Sequence, residues 1–363
     1  MIKKIYDNKT LVSTYGSGAG GEVHQLPEMN SDTIFHIFDV FDADFLQKCY
    51  KKKGKPGCII SDHLVYQKDL VDHEIQFYGL PLWLERERKQ WNLSEFDQLL
   101  PETIKTFNFM INKKQTSRFL CCKLVDIFFA KLDYYYTFSG VGRKFDCTKV
   151  INEMNMLEKQ SPLTELERSQ ILEPVLLDTH FIESSTTIIS QLDQGNSYGR
   201  IYYGGNKTSW NSINQIFLNT GVALITETVD FQKSAVFTEK TLFSLLGLNF
   251  PIWVGGYQQA DTWKKLGFDI FDDLIDHSYQ YHDTLIERCV YAIKNNLDIL
   301  SNLNLVKDLR KIHLQRLLEN RYKILNGQLE KYIDEVVNTA SVDYQPMLNE
   351  TVDRFKRSTT NMC

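Results

Sequence analysis

The chain has 363 residues, 43% of them hydrophobic and 12% aromatic, and a formal charge of −5 at pH 7. That composition excludes a disordered or low-complexity chain and leaves room for two domains of ordinary size, each with a core of its own. The slight acidity gives no global electrostatic reason to bind nucleic acid, and the main basic run, Lys51-Lys52-Lys53-Gly54-Lys55, reads as a solvated loop.

In chain order, Thr33–Phe41 and Gly57–Ser61 read as buried strands, with a helix from Asp44 to Lys52 between them. Thr106–Ile111 is a further strand, followed by an amphipathic helix over Thr116–Lys131 and a strand over Tyr134–Phe138. Strand, helix, strand in that order predicts a parallel sheet with right-handed crossovers, hence an α/β fold. Residues 162–210 are irregular, with turn-forming runs at Ser184–Thr187 and Gly195–Gly199. Order returns with a strand at Gly221–Ile225, and then with the Thr238–Gly256 unit. There a short apolar strand ends on Glu239-Lys240, a helix starts, and the strand Phe250-Pro-Ile-Trp-Val-Gly255 follows. Helices are expected over Gln258–Leu266, Thr284–Asn296 and, as one long element, Val306–Val337. Arg310, His313, Arg316 and Lys323 lie near the helical repeat on that last helix and read as its solvated face. Asp272-Asp273 reads as a helix start, His277 and His282 as surface residues, and Arg357–Cys363 as a loose tail. The expected division is an N-terminal α/β domain over 1–105, a C-terminal α/β domain over 106–300, and helices with a tail over 301–363.

Seven cysteines, with no Cys-x-x-Cys spacing, read as free thiols of a reducing compartment; Cys121 and Cys122 sit inside an apolar helical run. The first residues lack a signal-peptide segment and no run of 18 apolar residues occurs. The expectation is a chain without a transmembrane segment, placed in the cytoplasm. No metal-binding pattern is evident.

Open parallel sheets bind ligands beyond the carboxyl ends of their strands, where helices begin. Five segments fall at such positions. Asn112-Lys113-Lys114-Gln115-Thr116-Ser117-Arg118 combines a helix start with cations, an anion-binding arrangement that otherwise reads as a polar loop. Ser139-Gly140-Val141-Gly142-Arg143 lets backbone approach a ligand closely, although short glycine loops are common. Glu227 and the Thr238-Glu239-Lys240 run each follow a strand; a lone glutamate there is ordinarily an N-terminal charge interaction, while two with a lysine fit a ribose and a diphosphate. In the N-terminal half, Asp62 and His63 are proton acceptors at a strand exit, upstream of Gly79-Leu-Pro-Leu-Trp83, which otherwise reads as a surface turn.

In this order the segments resemble the α1,3-fucosyltransferase family, especially its bacterial members, in patches over residues 57–280. Asn112 and Arg118, Ser139-Gly-Val-Gly-Arg143, Glu227, Thr238-Glu239-Lys240 and Phe250-Pro-Ile-Trp-Val-Gly255 match its motifs, and Leu80-Pro-Leu-Trp83 is similar to a segment of its first domain. Two departures stand out. Thr226-Glu227-Thr228 lacks the family's asparagine after the glutamate, and 12 positions separate Glu227 from Glu239, slightly more than is usual. Leu266-Gly-Phe268 and Asp276-His-Ser-Tyr279 look more like a signature of viral and phage relatives. The resemblance implies a GT-B fold, with two Rossmann-like domains facing a cleft. It also implies metal-independent, inverting transfer of a fucose-like sugar from a GDP-sugar to a hydroxyl of a glycan acceptor.

On that reading Asp62 is the base, with His63 as substitute. Arg118 and Lys240 neutralise the diphosphate, Gly140, Gly142 and Arg143 close over it, Glu239 holds the ribose, and Glu227 holds a sugar or ribose hydroxyl. Asn112, Lys113, Ser139 and Thr238 complete the donor set. Two other readings stay open. One is a glycosyltransferase of similar fold acting on hydroxymethylated bases of phage DNA, for which Lys51–Lys55 and Lys113-Lys114 supply part of a basic groove. The other is a nucleotide-sugar-binding protein without chemistry.

Overall fold

A computed structural model describes residues 2–6, 9–14, 23–37, 43–62, 64–67, 74–89, 102–103, 105–111, 116–129, 134–138, 163–172, 216–227 and 234–360. The chain forms strands β1 (Ile2–Tyr6), β2 (Lys9–Thr14) and β3 (Thr33–Ile37), helix α1 (Ala43–Lys53), and strands β4 (Cys58–Ser61), β5 (Leu64–Gln67) and β6 (Gln76–Gly79). Next come α2 (Leu82–Lys89), β7 (Lys105–Ile111), α3 (Thr116–Phe129), β8 (Tyr135–Phe138), β9 (Thr220–Ile225), β10 (Ser234–Val236), α4 (Glu239–Leu246) and β11 (Phe250–Trp253). Helices complete it: α5 (Gln259–Lys265), α6 (Leu285–Lys294), α7 (Leu297–Ser301), α8 (Leu303–Ile312), α9 (Leu314–Leu325), α10 (Gln328–Thr339) and α11 (Gln345–Thr360).

The chain gathers into two compact units. One takes 1–89, 233–237 and 327–363, and the other takes 90–232 and 238–326. In the first unit a five-stranded sheet runs β1-β2-β3-β4-β6, antiparallel only between β1 and β2. Every residue of β3 and β4 is buried, which is why both read as apolar runs rather than alternating patterns. One face of this sheet carries Leu11, Ile34, Cys58 and Ile60, and packs with Ile333 and Val337 of α10 and Leu348 and Val352 of α11. A two-stranded antiparallel ribbon, β5 with β10, belongs to the same unit.

In the second unit a four-stranded, wholly parallel sheet runs β11-β9-β7-β8. Its core joins Phe107, Phe109, Val222, Leu224, Phe250 and Ile252 of the sheet to Leu120 and Leu124 of α3 and Ile286, Val290 and Ile293 of α6. Helix α6 begins at a capping box, in which Thr284 accepts from the Glu287 amide at 3.2 Å and the Glu287 carboxylate accepts the Thr284 amide. The chain is a mixed α/β protein with parallel sheets.

The expected helix over Val306–Val337 is three helices. It breaks at His313, and again at Gly327, whose φ of +78° is a left-handed conformation that glycine adopts without steric cost. Arg310 does not lie on a solvated face. It is 2% exposed and donates to the carbonyls of Leu248 (2.9 Å), Leu218 (3.0 Å) and Gly247, tying α8 to the C-terminal end of α4 and the approach to β9. Arg316 is 30% exposed and bridges Asp269 (2.7 Å) and Asp273 (2.8 Å). Asp272-Asp273 forms a turn rather than a helix start, and residues 357–360 are the end of α11 rather than a loose tail. His277 is buried, not on the surface: Nε2 meets the Ile270 carbonyl at 2.9 Å and Nδ1 the Tyr279 hydroxyl at 3.2 Å. Among the described cysteines Cys49, Cys58, Cys121, Cys122 and Cys289 are free thiols, Cys122 alone of them being incompletely buried.

Candidate functional site

In the second unit all four strands are parallel, so their carboxyl ends share one edge. Glu227 lies two residues beyond β9, Thr238 to Lys240 open α4, and Arg118 is in the first turn of α3. The structure brings these five residues into one hydrogen-bonded group. The Glu227 carboxylate accepts the Thr238 amide at 3.1 Å, the Thr241 hydroxyl at 2.7 Å and the Thr238 hydroxyl. It therefore satisfies the amino end of α4, and this is why the N-cap residue Thr238 makes no cap with its own side chain. The Thr241 hydroxyl also accepts the indole N–H of Trp253 at 3.0 Å, which ties α4 to β11.

Lys240 Nζ donates to Thr238 Oγ1 at 3.2 Å and to Glu239 Oε1 at 3.3 Å. The lysine side chain is 2% exposed and that of Glu239 20%, so Glu239 is the outward member of the pair. Arg118, 1% exposed, is turned inward: its Nη2 donates to the carbonyls of Glu227 (3.1 Å) and Thr226 (3.4 Å). Thr226 in turn donates its hydroxyl to the Met110 carbonyl at 2.9 Å, pinning the exit of β9 to β7.

The two glutamates differ in charge preference. Burial pushes the Glu227 carboxyl up, against the opposite pull of Lys240 and of the Thr238 and Thr241 hydroxyls. Burial works the same way on Glu239, but the Lys240 ammonium and hydrogen bond, with Arg118 nearby, outweigh it and hold that carboxyl below its usual range. An ionised, partly exposed carboxylate beside a buried ammonium can accept hydrogen bonds from a diol and attract a diphosphate. Gly255, just past β11, serves packing: a Cβ there would meet Leu285 Cδ1 at 2.9 Å and Cys289 Sγ at 3.0 Å, and its φ is +83°. Asn112, Lys113, Ser139, Gly140, Gly142 and Arg143 lie outside the described residues, as does His63.

In the first unit Asp62 follows the last residue of β4, and its amide continues the ladder to the Ile37 carbonyl at 3.4 Å. Alternation along a strand places Cys58, Ile60 and Asp62 on one face. His36 of β3 is the register partner of Ile60 and so shares that face. Its Nε2 stands 2.7 Å from Asp62 Oδ1, with side-chain exposures of 4% for the histidine and 13% for the aspartate. The two N-terminal segments singled out in the sequence also meet: the Trp83 amide donates to the Asp62 carbonyl at 3.3 Å and the Leu80 amide to the Ser61 carbonyl at 2.8 Å. The Leu80–Trp83 stretch is accordingly no surface turn; Leu80, Pro81 and Leu82 are buried where β6 passes into α2. His36 was missed by sequence reasoning. The signal available was a lone imidazole inside the apolar run Thr33-Ile-Phe-His-Ile37.

A cleft of about 500 Å³ elsewhere in the second unit is lined by Asp261, Asp272, Asp273 and Asp276. Each carboxylate there has a donor: the Tyr281 hydroxyl (2.6 Å), Lys264 (2.6 Å), Arg316 (2.8 Å) and the Ser278 amide (2.7 Å) respectively. All four are hydrogen-bonded, but only Asp272 and Asp273 face a cation, so the charge is offset in part. Among the described residues no three His, Cys, Asp or Glu side chains gather as a metal-ligand set, and no helix is long and apolar enough to cross a membrane.

No protein-family model matches the chain, and no curated protein matches it.

Proposed function

We propose that the chain is an inverting glycosyltransferase of GT-B type that moves a fucose-like sugar from a GDP-sugar to a hydroxyl of a glycan acceptor. The observation that carries this reading is the Glu239–Lys240 pair, one partly exposed carboxylate and one buried ammonium, at the carboxyl edge of a parallel sheet. The resemblance to the α1,3-fucosyltransferases adds the order of the motifs and the metal-independent chemistry.

In this mechanism the second unit holds the donor. Glu239 takes the ribose hydroxyls and Lys240 faces the diphosphate, whose charge grows as the glycosidic bond breaks. Glu227 and Arg118 act one layer back, keeping the start of α4 and the exit of β9 in place through the bonds described above. Asp62 is the base. It takes the acceptor hydroxyl's proton as that oxygen bonds the anomeric carbon; the carbon–oxygen bond to the diphosphate breaks, its electron pair leaves with the diphosphate, and the anomeric configuration inverts.

Titration calorimetry with GDP, UDP and CDP, on the natural chain and on Glu239→Ala, tests the reading. GDP binding that the variant loses supports it. A preference for UDP moves the donor and favours a sugar transferred to DNA bases, and silence with all three nucleotides overturns it.

A further inference from the structure

We infer that His36 is the positioning residue for the base: its Nε2–H holds Asp62 so that the other carboxylate oxygen, Oδ2, meets the acceptor hydroxyl. The inference rests on the glycosyltransferase reading and assigns a role to a residue that reading does not use.

Four observations converge on it. The first is geometry. Nε2 to Oδ1 is 2.7 Å, a charge-assisted distance, and it locks the carboxylate's rotation. The second is asymmetry of exposure. His36 is 4% exposed and Asp62 13%, so the aspartate, not the imidazole, can touch a substrate. Among the described residues Asp62 Oδ2 accepts no hydrogen bond, which leaves it available to a proton donor.

The third is the backbone. Asp62 is held from two sides, by its own amide on the Ile37 carbonyl and by the Trp83 amide on its carbonyl, so the carboxylate is fixed to rigid elements rather than to a loop tip. The fourth is cost. Both side chains occupy a face that also carries the buried Ile34, Cys58 and Ile60. Desolvating a histidine–carboxylate pair there opposes folding, and an apolar residue at 36 would pack without that penalty. Ser13, the register partner of His36 on β2, is likewise buried, and its hydroxyl has no hydrogen-bond partner among the described residues. A polar pocket therefore interrupts the apolar face at its carboxyl end.

In the step itself the proton moves from the acceptor oxygen to Asp62 Oδ2, and His36 keeps its own proton on Nε2. The hydrogen bond from His36 keeps the carboxylate oriented before and during transfer. The proton leaves to water after the products depart.

The test uses the full chain and hydrolysis of GDP-fucose and GDP-mannose, with water as acceptor, so that no glycan need be identified. His36→Leu removes the donor and is expected to lower kcat by about 100-fold, near the low end of what a positioned general base supplies. GDP affinity should stay unchanged, because Glu239 and Lys240 belong to the other unit. His36→Gln restores an amide N–H close to the place of Nε2 and should recover most of kcat. In Asp62→Asn the further change His36→Leu should cost nothing more, since positioning has no object once the base is gone. Circular dichroism and melting of each variant identify any that fail to fold, and the Gln variant and the double-mutant comparison decide in that case. Unchanged kcat in His36→Leu, or additive losses in the double variant, overturn the inference while leaving the transferase reading intact. A natural chain that binds GDP-sugars but turns over neither overturns both.

Discussion

Glu227 Oε1 accepts the Thr241 hydroxyl at 2.7 Å, and the same hydroxyl accepts the Trp253 indole N–H at 3.0 Å. One threonine thus couples the exit of β9, the first turn of α4 and the last residue of β11. Replacing it by valine keeps the shape but takes away both bonds, and should cost about 1–3 kcal/mol, the range for a buried polar group deprived of its partner. Urea denaturation of Thr241→Val beside Thr241→Ser, which keeps the hydroxyl, measures it. Equal stabilities would contradict the arrangement.

A pH effect follows from Glu167. Lys294 Nζ at 3.0 Å, the Thr164 amide at 3.1 Å and the Tyr291 hydroxyl at 3.0 Å hold its carboxyl down to about 2, against the opposing effect of burial. The folded-state value lies below the unfolded one of about 4.3, so the stabilisation is complete above that pH and is lost as the pH falls towards 2. The stability gap between the natural chain and Glu167→Gln should therefore narrow on acidification from pH 6 to pH 2.5. Glu227, whose carboxyl is pushed up by burial, contributes with the opposite sign: its part is complete at low pH and declines as pH rises through its folded-state value. A gap at Glu167 that stayed constant with pH would count against the three bonds.

Two arginines on neighbouring helices should differ sharply. Arg310→Met leaves the carbonyls of Leu248 and Leu218, bonded at 2.9 and 3.0 Å, and that of Gly247 without its guanidinium, at a cost of about 3 kcal/mol or more. Burial, with Arg321 nearby, pushes the Arg310 guanidinium down to about 9, still charged at neutral pH. Arg316→Ala breaks ion pairs open to solvent and should cost about 1 kcal/mol. The ranking by chemical denaturation is the check; a reversed order would contradict the burial.

Gly255→Ala combines a φ of +83° with a Cβ placed 2.9 Å from Leu285 Cδ1. The backbone strain alone is worth about 1–3 kcal/mol, and α6 must shift as well. A lowered melting temperature is expected, and an unchanged one would show that α6 gives way freely.

Thiol labelling of the native chain should spare Cys49 and Cys121. Burial pushes the Cys49 thiol up to about 12, and burial with the neighbouring Cys122 raises that of Cys121 well above its usual value, so neither supplies thiolate at neutral pH. Mass spectrometry after timed labelling reads this directly, and rapid modification of either would contradict the packing.

Much of the architecture was legible because it is encoded locally. Thr33-Ile-Phe-His-Ile37, Cys58-Ile-Ile-Ser61 and Phe250-Pro-Ile-Trp253 are mainly apolar runs of strand length, as a strand covered on both faces requires along most of its length. Helix α3 was expected from its amphipathic pattern, starting at Thr116 as observed. The break at Gly327 was available from the residue type and was passed over, because the apolar period resumes on its far side. The group at 227, 238, 239 and 240 was picked out as a cluster at strand ends, while the partners of its members were not.

The amino-acid sequence by itself determined the strands β3, β4, β7, β8, β9 and β11 and the parallel pairing of β7 with β8, since the period and length of apolar runs depend only on near neighbours. The tertiary structure alone decided what each polar side chain does. His36 meets Asp62 from 26 positions away, Arg118 turns inward onto a carbonyl 109 positions on, and Arg310 leaves the expected solvated face for a carbonyl 62 positions back. A charged side chain in water and one bonded inside a protein obey the same local pattern. Only the packing of distant segments sets which polar groups lose water, and so which must find each other.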